Sequence, residues 1–375
     1  MDKNYVLFSM VGAIVVIASI ISIIITTNNL SPPNDALEKC NELKFNSADA
    51  VNILFFSTKE QAKEYSDFFL QVQPFDENKE AFNFYYIDSY TPECELYKGI
   101  ALVCYSKKII KKASSCPSDY IIVIKEKSAE IRSSAYMEVM SINSNHPKSV
   151  LIHEFGHAFA NFADEYTPAT IPKNSKNCVS SCSKFAWETN GCFEGCSKEV
   201  YYRSIDEGVM RTLSSKEYGK FNNNLILEKM PKNFQGITSK AIAEFAECND
   251  AAYYLIEGIY NPGNLTLPEK ITLLNTSIEK GCAGNGGSGE FEYNFINPDE
   301  NYSGIEFNPG LIFTDSLKGV SLGGEINGTV FFSELPFILR IPVSKNQGEI
   351  IAITKNGATM AEIDLSHAGA MPCKI

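Results

Sequence analysis

His153-Glu154-Phe155-Gly156-His157 is the stretch whose reading decides the fold. The chain has only four histidines, and two of them stand four apart around a glutamate. Positions i and i+4 of a helix share one face. Both imidazoles can therefore reach one Zn²⁺, while Glu154 between them takes a proton from a water that the ion activates. The flanks read as helix too. Asn145-His146-Pro147 offers a cap and a first-turn proline. Leu151, Phe155, Ala158, Phe159 and Phe162 make one apolar stripe. His153 and His157 project away from it, so the helix is expected to pack on its phenylalanines and turn its histidines to a cleft.

A catalytic zinc takes three protein ligands and keeps a position for water. Downstream the chain reads Ala158-Phe-Ala-Asn-Phe-Ala-Asp164-Glu165-Tyr166. In a continued helix Asp164 would sit about 10 Å along the axis from His157, so the chain must turn back. Asn161 is the natural place, because asparagine tolerates the left-handed conformation that ends helices. Asp164 then follows at the offset by which a helix-ending Gly-x-x-His delivers its ligand in metzincins. Asp164 is favoured on this geometry, with Glu165 as the competitor.

These residues resemble a known family. His-Glu-Phe-Gly-His-Ala-Phe-Ala-Asn-Phe-Ala-Asp-Glu-Tyr at 153–166 is similar to the H-E-x-G-H-S-F-A-G-L-A-D-E-Y of the M64 peptidases, the IgA peptidase family. Asn161 stands where that family usually has glycine. Pro74-Phe75 with Phe82-Asn83-Phe84-Tyr85, Gly191-Cys192-Phe193-Glu194-Gly195, and Tyr202-Arg203-Ser204 through Met210-Arg211 look like its other blocks, over about residues 48–245. The resemblance implies a zinc metallopeptidase with a metzincin-like core, acting on protein or peptide; it does not imply immunoglobulin as substrate. Gly208-Val209-Met210-Arg211 is similar to the methionine turn beneath the metal in such folds. Tyr166, Tyr201, Tyr202 and Arg203 are further candidates for lining the cleft.

Val6 to Ile25 carries no charge and is almost wholly apolar, long enough for a bilayer core of about 30 Å. No small-residue cleavage site follows in Ile25-Thr-Thr-Asn-Asn-Leu-Ser-Pro-Pro33, which favours an uncleaved anchor over a removed signal peptide. Lys3 before the span, with Asp35 and Glu38 after it, places the rest of the chain outside. Eleven cysteines and the sequons at Asn29, Asn264, Asn275, Asn301 and Asn327 agree. The catalytic motif is flanked by Asn145, His146, Lys148, Asn161, Asp164 and Glu165, too polar for an intramembrane site.

Net charge is −12 with no basic cluster suited to nucleic acid. Lys107-Lys108 with Lys111-Lys112 reads as a solvated helix face. Cys178, Cys182, Cys192 and Cys196 surround Trp187. Disulfides, for example 178–196 with 182–192, are expected over a structural zinc, though spacing does not decide connectivity. An odd cysteine count leaves one over, and Cys40 is a candidate for bonding a second chain. Oligomeric state is not legible.

The expected architecture is an anchor at 1–27, a stalk at 28–45, an α+β, metzincin-like peptidase domain at 46–258 with a cysteine-rich insert at 177–197, and an all-β sandwich-like domain at 262–375. Strands are expected at Val51–Phe56, Phe82–Asp88 and Asp119–Ile124, and helices at Lys59–Val72 and Thr238–Glu257. Glu130–Ile142 reads as an edge strand that would pair with extended substrate in a metzincin-like layout. Gly310–Phe313, Thr329–Phe332, Phe337–Pro342 and Glu349–Thr354 are the β-type runs of the last region. No propeptide with a blocking cysteine is evident. The functional expectation is a membrane-anchored, outward-facing zinc endopeptidase. The alternative is a non-catalytic surface glycoprotein that keeps the metal site as structure.

Overall fold

The first half of the chain alternates strand and helix because its apolar runs do. In order come β1 (Asn41–Lys44), β2 (Val51–Phe56), helix α1 (Lys59–Phe69), β3 (Phe82–Ile87), β4 (Glu95–Tyr97), β5 (Ala101–Val103), α2 (Lys107–Ala113), β6 (Tyr120–Lys125), β7 (Ser134–Tyr136), β8 (Val139–Asn143), α3 (Ser149–Ala160), β9 (Phe193–Cys196), β10 (Lys198–Arg203) and α4 (Lys220–Lys229). Among the described residues the second half is strand but for a short 3-10 turn at Leu365–His367: β11 (Ala252–Asn261), β12 (Lys270–Lys280), β13 (Phe291–Ile296), β14 (Tyr302–Phe307), β15 (Leu311–Thr314), β16 (Val330–Phe331), β17 (Leu335–Pro342), β18 (Ile350–Lys355) and β19 (Ala358–Asp364). The computed structural model describes residues 37–185, 189–231, 248–263, 266–284, 286–296, 302–315, 330–331, 335–343 and 350–368. The expected anchor, most of the stalk, Trp187, Cys373 and all the sequons but Asn275 lie outside these residues. No helix among the described residues is long and apolar enough to cross a membrane.

The main sheet has the order β1-β3-β2-β6-β8-β7-β15-β16. β3, β2, β6 and β8 run parallel, and β1, β7, β15 and β16 add antiparallel edges. A parallel centre is covered on both faces, and the alternation shows how. Ile53 and Phe55 point to one layer with Phe69 of α1 and Leu151, Phe155 and Phe159 of α3. Leu54 and Phe56 point to the other, with Ile109 and Ile110 of α2 and Tyr253, Leu255 and Ile338 of β11 and β17. Phe155 is wedged among aromatics, edge-on to Phe69 at 5.0 Å and stacked on Phe159 at 5.0 Å. That packing fixes α3 against the sheet.

In the second half a three-stranded antiparallel sheet (β12-β11-β17) and a four-stranded one (β14-β13-β18-β19) share a core of Ile256, Tyr260, Phe291, Phe295, Phe337 and Ile353. The helix expected at 238–257 is corrected where it is described: from Ala252 the chain is β11, paired on both edges. β11 also runs through the boundary expected at 258. The expected edge strand over 130–142 is instead a hairpin, β7 and β8, and the far edge of β7 is taken by β15.

Five disulfides tie the unit together: Cys40–Cys116, Cys94–Cys104, Cys178–Cys196, Cys182–Cys192 and Cys248–Cys282. Cys40 is therefore bonded within the chain rather than free for another. The four cysteines of the insert are two nested disulfides, not a metal site. The lysines of α2 are ion-paired, Lys107 with Glu257 and Lys111 with Glu279, and so bind the helix to the second half rather than only to solvent.

Candidate metal centre

Helix α3 begins without a side-chain cap at Lys148, so Asn145 does not play the expected capping role. Its end is as the asparagine chemistry requires. Asn161 adopts φ 54° and ψ 36°, the left-handed region, and Phe162 N–H closes back on the Gly156 carbonyl at 3.2 Å. The reversal brings Asp164 against the helix it has just left.

His153 Nε2 and His157 Nε2 lie 3.2 Å apart, and each is 3.3 Å from Asp164 Oδ1. His153 donates Nδ1–H to the Val209 carbonyl (2.9 Å) and His157 to the Phe162 carbonyl (2.7 Å). Both rings thus turn Nε2 lone pairs inward, the arrangement by which backbone partners orient metal-ligating imidazoles. Neither Asp164 oxygen has a partner with hydrogen-bond geometry among the described residues. Three potential ligand atoms converge there, an arrangement that a bound cation, or a proton on one ring, would relieve. The spacing fits: bonds of about 2.0–2.1 Å at tetrahedral angles put neighbouring ligand atoms about 3.3 Å apart. His153, His157 and Asp164 are a buried group that could hold a metal ion. Burial opposes the Asp164 charge, but the imidazoles hold its carboxyl down at about 2. Burial likewise opposes protonation of both rings. Asp164 and Glu154 nevertheless carry His153 up to about 9, whereas His157, facing His153, ends below its ordinary value.

Glu154 is fully buried and neither carboxylate oxygen has a partner among the described residues. Burial raises it well above the ordinary carboxylate range, opposed by His153 and reinforced by Asp315 and Asp164. Glu165, the competing third ligand, faces elsewhere. Its Oε1 accepts from Asn177 (3.1 Å) and Asn222 (2.9 Å), and burial pushes it up to about 7.

The cysteine-rich insert holds the ligand loop. Asn177 accepts from Ala163 N–H (2.8 Å) and donates to the Ala163 carbonyl (2.9 Å); Ser197 Oγ donates to the Asp164 carbonyl (2.6 Å). These two residues adjoin Cys178 and Cys196, which are bonded to each other. One disulfide therefore clamps both sides of Asp164. Sequence reasoning missed the clamp, although the cysteines marked its place. Met210 lies fully buried beneath α3. A Cβ at Gly156 would meet its Sδ at 2.7 Å, so glycine is what permits the close approach. The Met210 carbonyl accepts from Glu165 N–H at 2.8 Å.

The histidines do not face an open cleft. His153 and His157 are each 1% exposed and Asp164 is 0% exposed. The Phe313 ring of β15 stacks on His157 at 4.2 Å and 15°. Tyr166 Oη donates to the Thr314 carbonyl at 3.0 Å. Tyr201 lies against the insert's Ala163–Cys178–Cys196 cluster, and Arg203 is spent on the Gly195 carbonyl and Asp206. Two residues near the site went unread. His146, read as part of a cap and of the polar flank, is buried with Nδ1 2.9 Å from Asp315 Oδ2. Asp315 follows a β-type run and carries no local signal.

No protein-family model matches this chain, and neither does any curated protein.

Proposed function

We propose that this chain is a zinc-dependent endopeptidase, related to the IgA peptidase family, anchored by residues 6–25 with its catalytic part outside the cell. The observation that carries the reading is the convergence of His153, His157 and Asp164 beside the unpartnered carboxylate of Glu154. Two imidazoles and one carboxylate are a ligand set that zinc favours, with one position left open. A bound zinc ion would supply Lewis acidity, activating water and polarising a peptide carbonyl. Glu154 takes the proton from the attacking water and delivers it to the departing amine. Val209 and Phe162 carbonyls hold the two rings in the ligating tautomer. Gly156 and Met210 set the depth at which α3 lies. The five disulfides support an oxidising compartment, and with the apolar stretch 6–25 they support the outward-facing placement.

Glu154→Gln should retain metal and fold while losing at least 100-fold in peptide turnover, the scale of general-base catalysis. Turnover equal to the unaltered chain would remove Glu154 from that role. One observation favours a second reading: all four residues are buried, with Phe313 of β15 stacked on His157. In that reading the metal is structural and the chain is a non-catalytic surface module. Absence of turnover from zinc-loaded protein, including variants with β15 loosened, would favour it.

A further inference from the structure

A substrate that is cut at the metal must lie beside Glu154, and β7 is the strand of the main sheet whose partner overlies His157. β7 is hydrogen-bonded to β8 on one side. Its other side is occupied by β15, which is antiparallel to it with Phe313 opposite Ala135 and Thr314 opposite Ser134. By that register β15 comes from 178 to 180 positions further along the chain. It brings a bulky side chain onto a metal ligand, Phe313 on His157. It presents a carbonyl, that of Thr314, to Tyr166 Oη. Beyond it Asp315 is latched, with Oδ2 accepting from Ser133 N–H at 3.3 Å and paired with His146 at 2.9 Å. Leu311 to Asp315 are at most 5% exposed. An extended polypeptide adding to a sheet edge makes the same set of contacts: main-chain pairing for affinity and alternate side chains for specificity.

We propose that Leu311–Asp315 occupies the substrate seat of this chain as an internal peptide and keeps the metal centre closed until it is displaced. Once vacated, the seat takes an extended polypeptide that pairs antiparallel with β7 and lays a bulky apolar side chain over His157. The term substrate rests on the peptidase reading; the occupancy of the β7 edge does not. A competitor for an occupied seat binds in proportion to the fraction of chains in which the seat is open, so loosening β15 must raise apparent affinity.

The test uses the full-length chain in detergent, loaded with zinc and carrying Glu154→Gln so that bound peptide survives. The probe is a dye-labelled pentapeptide of the sequence Leu-Ile-Phe-Thr-Asp, read by fluorescence anisotropy. Phe313→Ala removes the ring from His157, and Asp315→Asn weakens the latch with less risk to folding. Both should bind the probe at least tenfold more tightly than the chain with β15 intact. Equal affinity in all three proteins, or no binding in any, would overturn the proposal. The same two substitutions with Glu154 restored separate the two readings. Tighter probe binding without turnover of any peptide keeps the seat and discards the peptidase. Turnover by the intact chain as fast as by the loosened variants keeps the peptidase and discards the seat.

Discussion

Replacing Asn161 by alanine should destabilise the chain by about 1 kcal/mol more than replacing it by glycine, and should loosen the metal. Asn161 sits at φ 54°. A residue with a Cβ pays roughly 1–2 kcal/mol there, and glycine does not. The side chain itself contributes little to the difference. Its Nδ2 donates to the Lys173 carbonyl at 2.8 Å, but its Oδ1 is buried with no partner among the described residues. Both variants lose the one bond and the one unsatisfied acceptor, so the comparison isolates the backbone. Alanine also favours continuing the helix, which would carry Asp164 away from Nε2 atoms that it now meets at 3.3 Å. Zinc affinity, measured by competition with a fluorescent chelator, should fall at least tenfold for Asn161→Ala and stay within a few-fold for Asn161→Gly. Melting of the metal-free proteins gives the stability difference. Equal stability and equal affinity in the two variants would refute the claim that the left-handed turn delivers Asp164.

Asp164→Ala should abolish zinc binding while Glu165→Gln keeps it, because Asp164 and not Glu165 reaches the histidines; metal retained by Asp164→Ala would reassign the third ligand. Removing Cys178–Cys196 by paired serines should cost about 3 kcal/mol and at least tenfold in zinc affinity, since Asn177 and Ser197 hold the Asp164 loop. Removing Cys182–Cys192 should cost stability alone, and equal affinity losses would discount the clamp. His146→Ala should cost about 3–5 kcal/mol by leaving the Asp315 carboxylate buried without its partner, measured by denaturant unfolding, and a loss under 1 kcal/mol would contradict the pairing. Burial opposes the charge on His146, but Asp315 raises its pKa overall. Its stabilising contribution is therefore complete below about 6.5, its unfolded value. It is lost as pH rises through the higher folded value, so the deficit of His146→Ala should shrink over that window.

What was legible in the sequence was what local chemistry decides. The spacing of His153 and His157, the turn at Asn161 and the arrival of Asp164 all follow from contacts within a dozen residues. The strands near 51–56, 82–87 and 120–125 were legible for a similar reason, as short runs rich in β-branched and aromatic residues. What was not legible depends on pairing across the chain. Ala252–Glu257 is compatible with helix until β12 and β17 claim its two edges. Cys40 cannot be matched with Cys116, 76 positions away, by spacing. The open cleft expected beside His157 is covered by Phe313, and no local pattern ties residue 313 to strand β7. His146 was read by its neighbours Asn145 and Pro147, whereas its role is set by Asp315, 169 positions on.

The most direct test of the metal centre is the metal content of the purified full-length chain beside His157→Ala, with melting curves to show that both are folded. One zinc per chain is expected in the first protein and none in the second. Well-folded protein that takes up no zinc, or a His157→Ala variant that keeps it, would contradict the central claim.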